Sequence, residues 1–143
     1  MSEVRPAQTT LAEALGGDRR GSQRFVARRR GEPCFWVMIG GERIALNDIS
    51  PEGFSFQADD PQAFGEELEF VLLRDGVPDE IHGRARRMNY LDGAAQIGCR
   101  FVALEGDGAE RLRDWLIAHV IMSATVRITE KDAAAIVSGR SLI

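Results

Sequence analysis

The sequence predicts a mainly β protein, an antiparallel β-barrel of six or seven strands with a C-terminal α-helix packed on it. Between Phe25 and Leu104, short segments rich in Val, Ile and Phe are separated by Gly, Pro, Asp and Asn, as is typical of antiparallel sheets. After Leu104 the apolar residues change to helical spacing. With 143 residues, 44% of them hydrophobic, the chain can form one domain with a real core, and two would be cramped.

The N-terminal region, residues 1–17, is expected to be a flexible arm. It contains Pro6 and one short apolar stretch, Leu11–Leu15, which ends at two glycines. It lacks the long apolar core of a signal peptide, and no stretch of the chain approaches the roughly 18 apolar residues of a membrane-spanning helix. We therefore expect a cytoplasmic protein without membrane insertion.

Seven segments of the central region have the composition of strands. They are Phe25–Arg29, Cys34–Ile39, Arg43–Asn47, Gly53–Ala58, Glu67–Leu73, Glu80–Arg87 and Ala94–Phe101. In the fifth, leucine and phenylalanine alternate with Glu67 and Glu69, which indicates one buried and one exposed face. Between the fifth and sixth, Asp75 and Gly76 predict a tight hairpin because glycine readily adopts a positive φ. A sheet of many short strands removes its exposed edges by curling on itself, which favours a barrel.

The closing helix is predicted to begin near Asp107, where Glu110 three residues later completes the pattern of a capping box. One apolar stripe follows at helical spacing and consists of Leu112, Trp115, Leu116, His119 and Val120. For His119, packing within this stripe is favoured over a catalytic role.

The chain thus divides into three regions. Residues 1–17 form the arm, residues 18–122 the folded domain and residues 123–143 a C-terminal tail. Within the tail, Glu130–Val137 is a candidate short helix, and a frayed end is the favoured alternative.

The cysteines and histidines indicate neither a metal site nor an enzyme. Cys34 and Cys99 fall in probable strands without a Cys-x-x-Cys spacing, which favours free, buried thiols. His82 and His119 belong to no cluster with metal-ligand spacing, and no nucleophile with a neighbouring base is recognisable. We expect no bound metal, no cofactor and no catalytic residue.

Positive charge is concentrated near the first predicted strand. The net charge is −4, yet residues 19–30 contain six arginines and no acidic residue. The guanidinium fork can grip a phosphate or the Hoogsteen edge of guanine, which suits a nucleotide ligand. Binding of nucleic acid is a rival interpretation, but the overall acidity of the chain argues against it.

Two short motifs carry the most specific information. Arg20 and Arg24 match the pattern RxxxR, and Asp48, Ser50 and Gly53 match the pattern DxSxxG. Together, in this order and a short distance apart, they resemble the signature of the PilZ domain family. That family consists of bacterial receptors for cyclic di-GMP, so the resemblance implies a second-messenger receptor with a PilZ-like β-barrel.

The resemblance covers roughly residues 18–122. Arg28 also stands four residues after Arg24, but in the family the second arginine leads straight into the first strand, as Arg24 does. The similarity continues through the strand-turn-strand Leu46–Phe56, the predicted Asp-Gly hairpin and a late strand at Ile97–Phe101.

The resemblance implies a role for each motif residue. Arg20 and Arg24 would donate to the guanine O6/N7 edge and to phosphate, and would stack on a base. Asp48 would accept from the donor edge of guanine, and Ser50 would donate to or accept from base or phosphate. Gly53 would allow the turn before the next strand and a close approach of backbone to ligand. An Asx- or ST-type turn without a ligand is the alternative for Asp48 and Ser50.

Two further residues are weaker candidates. Asn47 can contact the ligand, although turn formation explains this residue equally well. Arg19 can stack on a second, intercalated molecule of cyclic di-GMP, so that the ligand binds as a dimer.

We expect a receptor that acts through an effector protein, because no effector domain is attached. Gly16, Gly17 and Gly21 flank the arginines and favour a segment that becomes ordered over the ligand and presents a new surface. The resemblance implies control of motility, biofilm formation or exopolysaccharide output. The oligomeric state is left open between a monomer and a weak homodimer. The alternative within the family is a protein-interaction module that does not bind nucleotide.

Overall fold

The computed structural model describes residues 23–60, 64–88 and 96–138. The predicted N-terminal arm, Arg19 and Arg20 lie outside the described residues. Nine strands and two helices are found within them. The strands are β1 (Phe25–Val26), β2 (Arg28–Arg29), β3 (Glu32–Pro33), β4 (Phe35–Ile39), β5 (Glu42–Ser50), β6 (Gly53–Gln57), β7 (Glu67–Arg74), β8 (Val77–Arg87) and β9 (Gln96–Leu104). The helices are α1 (Gly108–Ser123) and α2 (Glu130–Val137).

Six antiparallel strands close into a barrel. The order around it is β5, β4, β7, β8, β9 and β6, and the pairing of β6 with β5 closes the ring. Strand β1 lies outside the ring and pairs with the end of β5. The predicted antiparallel barrel with a C-terminal helix is confirmed.

The first predicted strand, Phe25–Arg29, is broken in the structure. Strand β1 ends at Val26, and β2 turns away to pair with β3 in a separate hairpin. The turn of that hairpin contains Arg30 and Gly31, both with a positive φ, 56° and 81°. The sequence pattern does not reveal this break, because it is caused by pairing with β3. That strand is only two residues long and is too short to leave a pattern of its own.

The core fills the inside of the barrel with aromatic and branched side chains. Phe54 lies at its centre, with ring centroids 5.2 Å from Phe70, 5.7 Å from Phe101 and 6.1 Å from Phe56. Burying each such ring stabilises the fold by about 1.5–3 kcal/mol. The predicted hairpin between β7 and β8 is present, with Gly76 at a φ of 76°.

Helix α1 covers one end of the core, but the predicted capping box at its start is wrong. Asp107 is the N-cap residue and makes no side-chain cap hydrogen bond. Its carboxylate instead accepts a hydrogen bond from Arg111 Nε at 2.8 Å. A guanidinium four residues on competes with the backbone N–H groups for the carboxylate, and here the ion pair with Arg111 forms instead of the cap.

Helix α2 occupies the predicted range Glu130–Val137 and is packed rather than frayed. Ala133 and Val137 are buried, and the helix lies against α1. A capping box is present here: Thr129 Oγ1 accepts from the Asp132 backbone N–H at 3.0 Å. The apolar spacing within the helix explains why the tail folds back onto the domain.

Candidate ligand-binding site

The pairing of β1 with β5 brings one member of each motif together. In this register Phe25 lies opposite Ile49 and Val26 opposite Asp48, so Arg24 approaches Asp48. Arg24 Nη1 donates to Asp48 Oδ1 at 2.5 Å. The two side chains are 22% and 24% exposed, so solvent can reach the pair but shields it only partly.

A β-bulge at Asn47 places Asp48 on the outside of the barrel. The register between β5 and β6 shifts between Leu46 and Asp48, so Asn47 is an extra residue. Leu46 and Ile49 are both fully buried, although strict alternation would put them on opposite faces. Without the bulge, Asp48 would share the inward face of Leu46. Asn47 also holds the adjacent segment, because its carbonyl accepts from the Ala27 N–H at 3.0 Å.

Ser50 adopts the turn arrangement that sequence analysis left as an alternative. Its side-chain oxygen accepts from the backbone N–H groups of Glu52, at 3.0 Å, and Gly53, at 3.2 Å. Ser50 is buried. The hydroxyl hydrogen is still available as a donor, since both of these bonds use the oxygen as acceptor.

Gly53 is required by a close approach of two strands. It lies opposite Arg100 of β9, and a Cβ atom at this position would lie 2.0 Å from the carbonyl oxygen of Cys99. Its φ is not positive, so conformational freedom is not the reason for glycine here. The close approach in the structure is to strand β9, and the approach of backbone to ligand that the resemblance implies for Gly53 stays a prediction.

Ser55 and Gln96 lie beside Asp48 and were missed by the sequence analysis, and Ser55 is buried there. Ser55 lies opposite Asp48 on β6, between the inward-facing Phe54 and Phe56. Its Oγ accepts from Gln96 Nε2 at 3.0 Å. The alternation of residues 53–57 already indicated an outward Ser55, but its neighbour on β9 depends on the barrel closing.

The buried His119 fixes the segment that follows Arg24 through two hydrogen bonds that the sequence analysis missed. His119 of α1 donates from Nε2 to the Val26 carbonyl at 2.8 Å, and Nδ1 accepts from Arg29 Nη1 at 2.7 Å. The roles follow because a guanidinium can only donate and a carbonyl can only accept. Burial lowers the pKa of His119, and the nearby charge of Arg29 acts in the same direction. The packed histidine predicted at this position is confirmed, with its ring edge-on to Phe35 at 5.1 Å.

One further acceptor lies in the turn between β5 and β6. Glu52 Oε1 is buried and, in the part of the chain that the structure describes, has no hydrogen-bond partner. Glu52 stands between Ser50 and Gly53 and thus inside the DxSxxG pattern. A buried acceptor without a partner is unfavourable, so it attracts any donor that reaches the turn.

The rest of the described chain offers little other site chemistry. Cys34 and Cys99 are free and buried, as predicted, and burial raises the pKa of the Cys99 thiol to about 12. Within residues 23–60, 64–88 and 96–138, no group of three or more His, Cys, Asp or Glu could hold a metal ion. None of the helices described is long and apolar enough to cross a membrane.

The structure is that of a small closed antiparallel β-barrel module. Its polar candidate site lies between an arginine before β1 and the turn after β5. The PilZ domain family model matches residues 18–118. The chain therefore belongs to the PilZ domain family, a family of cyclic di-GMP receptors.

The fold resembles that of a solved bacterial protein. The Bacillus subtilis inhibitor of motility (MotI/DgrA) superposes with a TM-score of 0.57 at 15% identity, over 75% of this chain and 53% of that one. This chain thus spans about half the length of the Bacillus protein. An uncharacterized Legionella protein gives a TM-score of 0.45 at 17% identity, over 63% of this chain and 85% of that one. No curated protein sequence matches the chain.

Proposed function

We propose that the protein is a non-enzymatic receptor that binds cyclic di-GMP through its RxxxR and DxSxxG motifs and signals to a partner protein. The observation that carries this proposal is the contact between Arg24 and Asp48 on the outside of the barrel, which joins the two motifs at one place. Family membership supplies the class of ligand.

The chemistry of this pair suits the ligand. Cyclic di-GMP carries two phosphodiester charges and two guanines, each with an acceptor edge and a donor edge. Arg24 has donor groups beyond the one bound to Asp48, and a carboxylate accepts several hydrogen bonds at once. The pair can therefore stay together while Arg24 donates to phosphate or to guanine O6/N7 and Asp48 accepts from guanine N1–H and N2–H.

The remaining motif residues complete the proposed site. Arg20 supplies the second guanidinium, and Arg19 stacks on a second ligand molecule if cyclic di-GMP binds as an intercalated dimer. Ser50 holds the turn and offers its hydroxyl hydrogen, while Gly53 keeps β6 close to β9. Asn47 contributes mainly through the bulge that turns Asp48 outward.

The signal is proposed to be the ordering of the arginine segment over the ligand. Arg24 connects directly to β1, and β1 is bonded to α1 through His119. A change at the arginines therefore reaches a rigid part of the domain within a few residues. The effector would be a cytoplasmic protein of motility, biofilm formation or exopolysaccharide export. Motility is the first process to test, because the Bacillus protein of similar fold is an inhibitor of motility.

Isothermal titration calorimetry tests the proposal. Cyclic di-GMP should bind to the wild type, whereas GTP and cyclic AMP should not. Arg24→Ala should weaken binding by about 10- to 100-fold, because charge-assisted hydrogen bonds contribute about 1.5–3 kcal/mol. Arg113→Ala, an exposed arginine on α1, is the matched control and should bind like the wild type. Two ligands per protein at saturation would support the intercalated dimer, and one would refute it.

A protein-interaction module without nucleotide binding is the second candidate. It is favoured by Ser50, whose oxygen is already occupied by two backbone N–H groups. The absence of binding heat with folded protein, together with an unchanged melting temperature at high ligand concentration, would establish this candidate instead.

A further inference from the structure

Arg100 of β9 stands in the same row of the barrel wall as the candidate site. Ser50 of β5 lies opposite Gly53 of β6, and Gly53 lies opposite Arg100. Arg24 directly precedes the residue that pairs with Ile49, so it stands beside Ser50 at the other end of this row. Neighbouring strands are about 4.8 Å apart, which puts the backbone of Arg100 about 10 Å from that of Ser50. Arg24 and Arg100 therefore flank the DxSxxG turn from its two sides.

The side chain of Arg100 is on the outside of the barrel. Its neighbours along β9, Cys99 and Phe101, pack in the core, whereas Arg100 is exposed. Among the described residues, the positions of β6 and β9 that separate it from Asp48 on this face are small. They are Gly53, Ser55 and Gly98. A ligand held by Asp48 can therefore extend to Arg100 across positions with little side-chain bulk.

Arg100 also lies directly opposite a second arginine, Arg86 of β8. Like charges directly opposite each other on a sheet are unfavourable. Arg86 is compensated, because its Nη2 donates to Glu67 Oε2 at 3.2 Å. No carboxylate in the part of the chain that the structure describes pairs with the guanidinium of Arg100. One uncompensated positive charge thus remains beside the DxSxxG turn.

The charge balance of the candidate site favours a cation at this place. Arg24 and Asp48 compensate each other, and the turn itself contributes only an acidic residue, Glu52. Cyclic di-GMP brings two phosphodiester charges, of which Arg20 can compensate one. Opposite charges attract more strongly in a partly desolvated site than in bulk water, so the second phosphodiester calls for another cation.

We propose that Arg100 is a further binding residue of the candidate site and donates to the phosphodiester of cyclic di-GMP that faces β9. The planar fork of a guanidinium matches two phosphate oxygens at once. This inference rests on the proposed function and extends the site from β1 and β5 across β6 to β9. The ligand is then held from both sides of the DxSxxG turn, by Arg24 on one side and by Arg100 on the other.

Isothermal titration calorimetry of the full chain with cyclic di-GMP tests the role of Arg100. Arg100→Ala should weaken binding by about 10-fold, because a charge-assisted hydrogen bond to phosphate is lost. Arg100→Gln, which keeps a polar side chain without the charge, should also bind more weakly than the wild type. Arg84→Ala is the matched control: Arg84 is exposed on β8 opposite Ala103, outside the row of Arg100, and this variant should bind like the wild type. Melting curves should show that Arg100→Ala is no less stable than the wild type, since it removes the contact between like charges.

Phosphorus NMR of the saturated complexes tests which part of the ligand Arg100 contacts. Arg100→Ala should move one phosphorus resonance per bound ligand relative to the wild-type complex, and Arg84→Ala should move none. Affinity lost without any change in the phosphorus resonances would overturn the phosphate contact.

The affinities separate this inference from the proposed function. Equal affinity of Arg100→Ala and the wild type, or equal losses in Arg100→Ala and Arg84→Ala, would overturn the role of Arg100 and leave the proposed function standing. A folded wild type that does not bind cyclic di-GMP would contradict the proposed function, and the role of Arg100 with it.

Discussion

At the scale of single residues, the DxSxxG pattern has a structural reason for each of its three positions. Asp48 pairs with Arg24, Ser50 accepts from two N–H groups of the turn, and Gly53 allows β6 to approach β9. The pattern therefore builds the end of the barrel as well as the proposed site. A loss of ligand binding in a variant of Ser50 or Gly53 must be compared with its loss of stability.

Gly53→Ala should destabilise the protein by about 1–3 kcal/mol or more, because the new Cβ would overlap the Cys99 carbonyl oxygen and neither backbone can easily move. Gly65→Ala is the control, since its Cβ would have no described neighbour nearer than 3.9 Å. Urea denaturation of both variants measures the effect. Equal stability of Gly53→Ala and the wild type would contradict the close packing of β6 and β9.

At the scale of elements, two contacts position the site. The bulge in β5 turns Asp48 outward, and His119 of α1 bonds to Val26 of β1 and to Arg29 of β2. The helix that closes the barrel thus also holds the strand that follows Arg24. A helix packed only by apolar contacts would leave this strand, which is two residues long, with fewer restraints.

His119 should make the stability of the protein depend on pH. Burial lowers its pKa; the bond to the Val26 carbonyl opposes this, and the charges of Arg29 and Arg74 add to it. The folded state therefore takes up a proton at lower pH than the unfolded chain, whose histidine has a pKa of about 6.5. The contribution of neutral His119 to the free energy of unfolding is fully present above the unfolded pKa and is lost as the pH falls towards the folded pKa.

Urea denaturation between about pH 7.5 and pH 5 measures this effect. The free energy of unfolding should fall less steeply with decreasing pH in His119→Gln than in the wild type. His82→Gln is the control for removing an exposed histidine, and the comparison of the two variants isolates the effect of burial at His119. Cys34, 3.8 Å from His119 Nδ1, remains in all three proteins. An identical slope in all of them would show that His119 is not held neutral by its surroundings.

At the scale of the whole molecule, the barrel supports the proposed ligand site at one place on its outside. This site uses β1, β5 and the turn to β6. The helices α1 and α2 pack on each other and close the end of the core. Ligand binding is therefore expected to change the arginine segment and to leave the barrel unchanged.

Limited proteolysis tests that expectation. Trypsin cleavage near Arg20 should slow when cyclic di-GMP is added, because a segment that folds over the ligand is protected. Arg24→Ala should be cleaved at the same rate with and without ligand. Cleavage after Arg127, between the two helices, serves as the internal reference and should not change. Undiminished cleavage near Arg20 in saturated wild type would contradict the ordering of this segment.

The sequence by itself determined the elements and the two motifs. The Asp75–Gly76 hairpin, the alternation in β7 and the range of α2 depend on neighbours in the chain, and local patterns encode them. The predictions of one continuous first strand and of a capping box on α1 were wrong, because a competing partner decides each of them. The partner is the return strand β3 in the first case and Arg111 in the second.

Only the tertiary structure decided how the motifs meet. Arg24 and Asp48 are 24 residues apart, and His119 and Val26 are 93 apart, so neither contact has a local signal. The outward direction of Asp48 depends on the bulge opposite β6, and the need for glycine at position 53 depends on Cys99 of β9. The physical reason is the closure of the barrel, which brings distant segments within hydrogen-bond distance and sets which faces remain exposed.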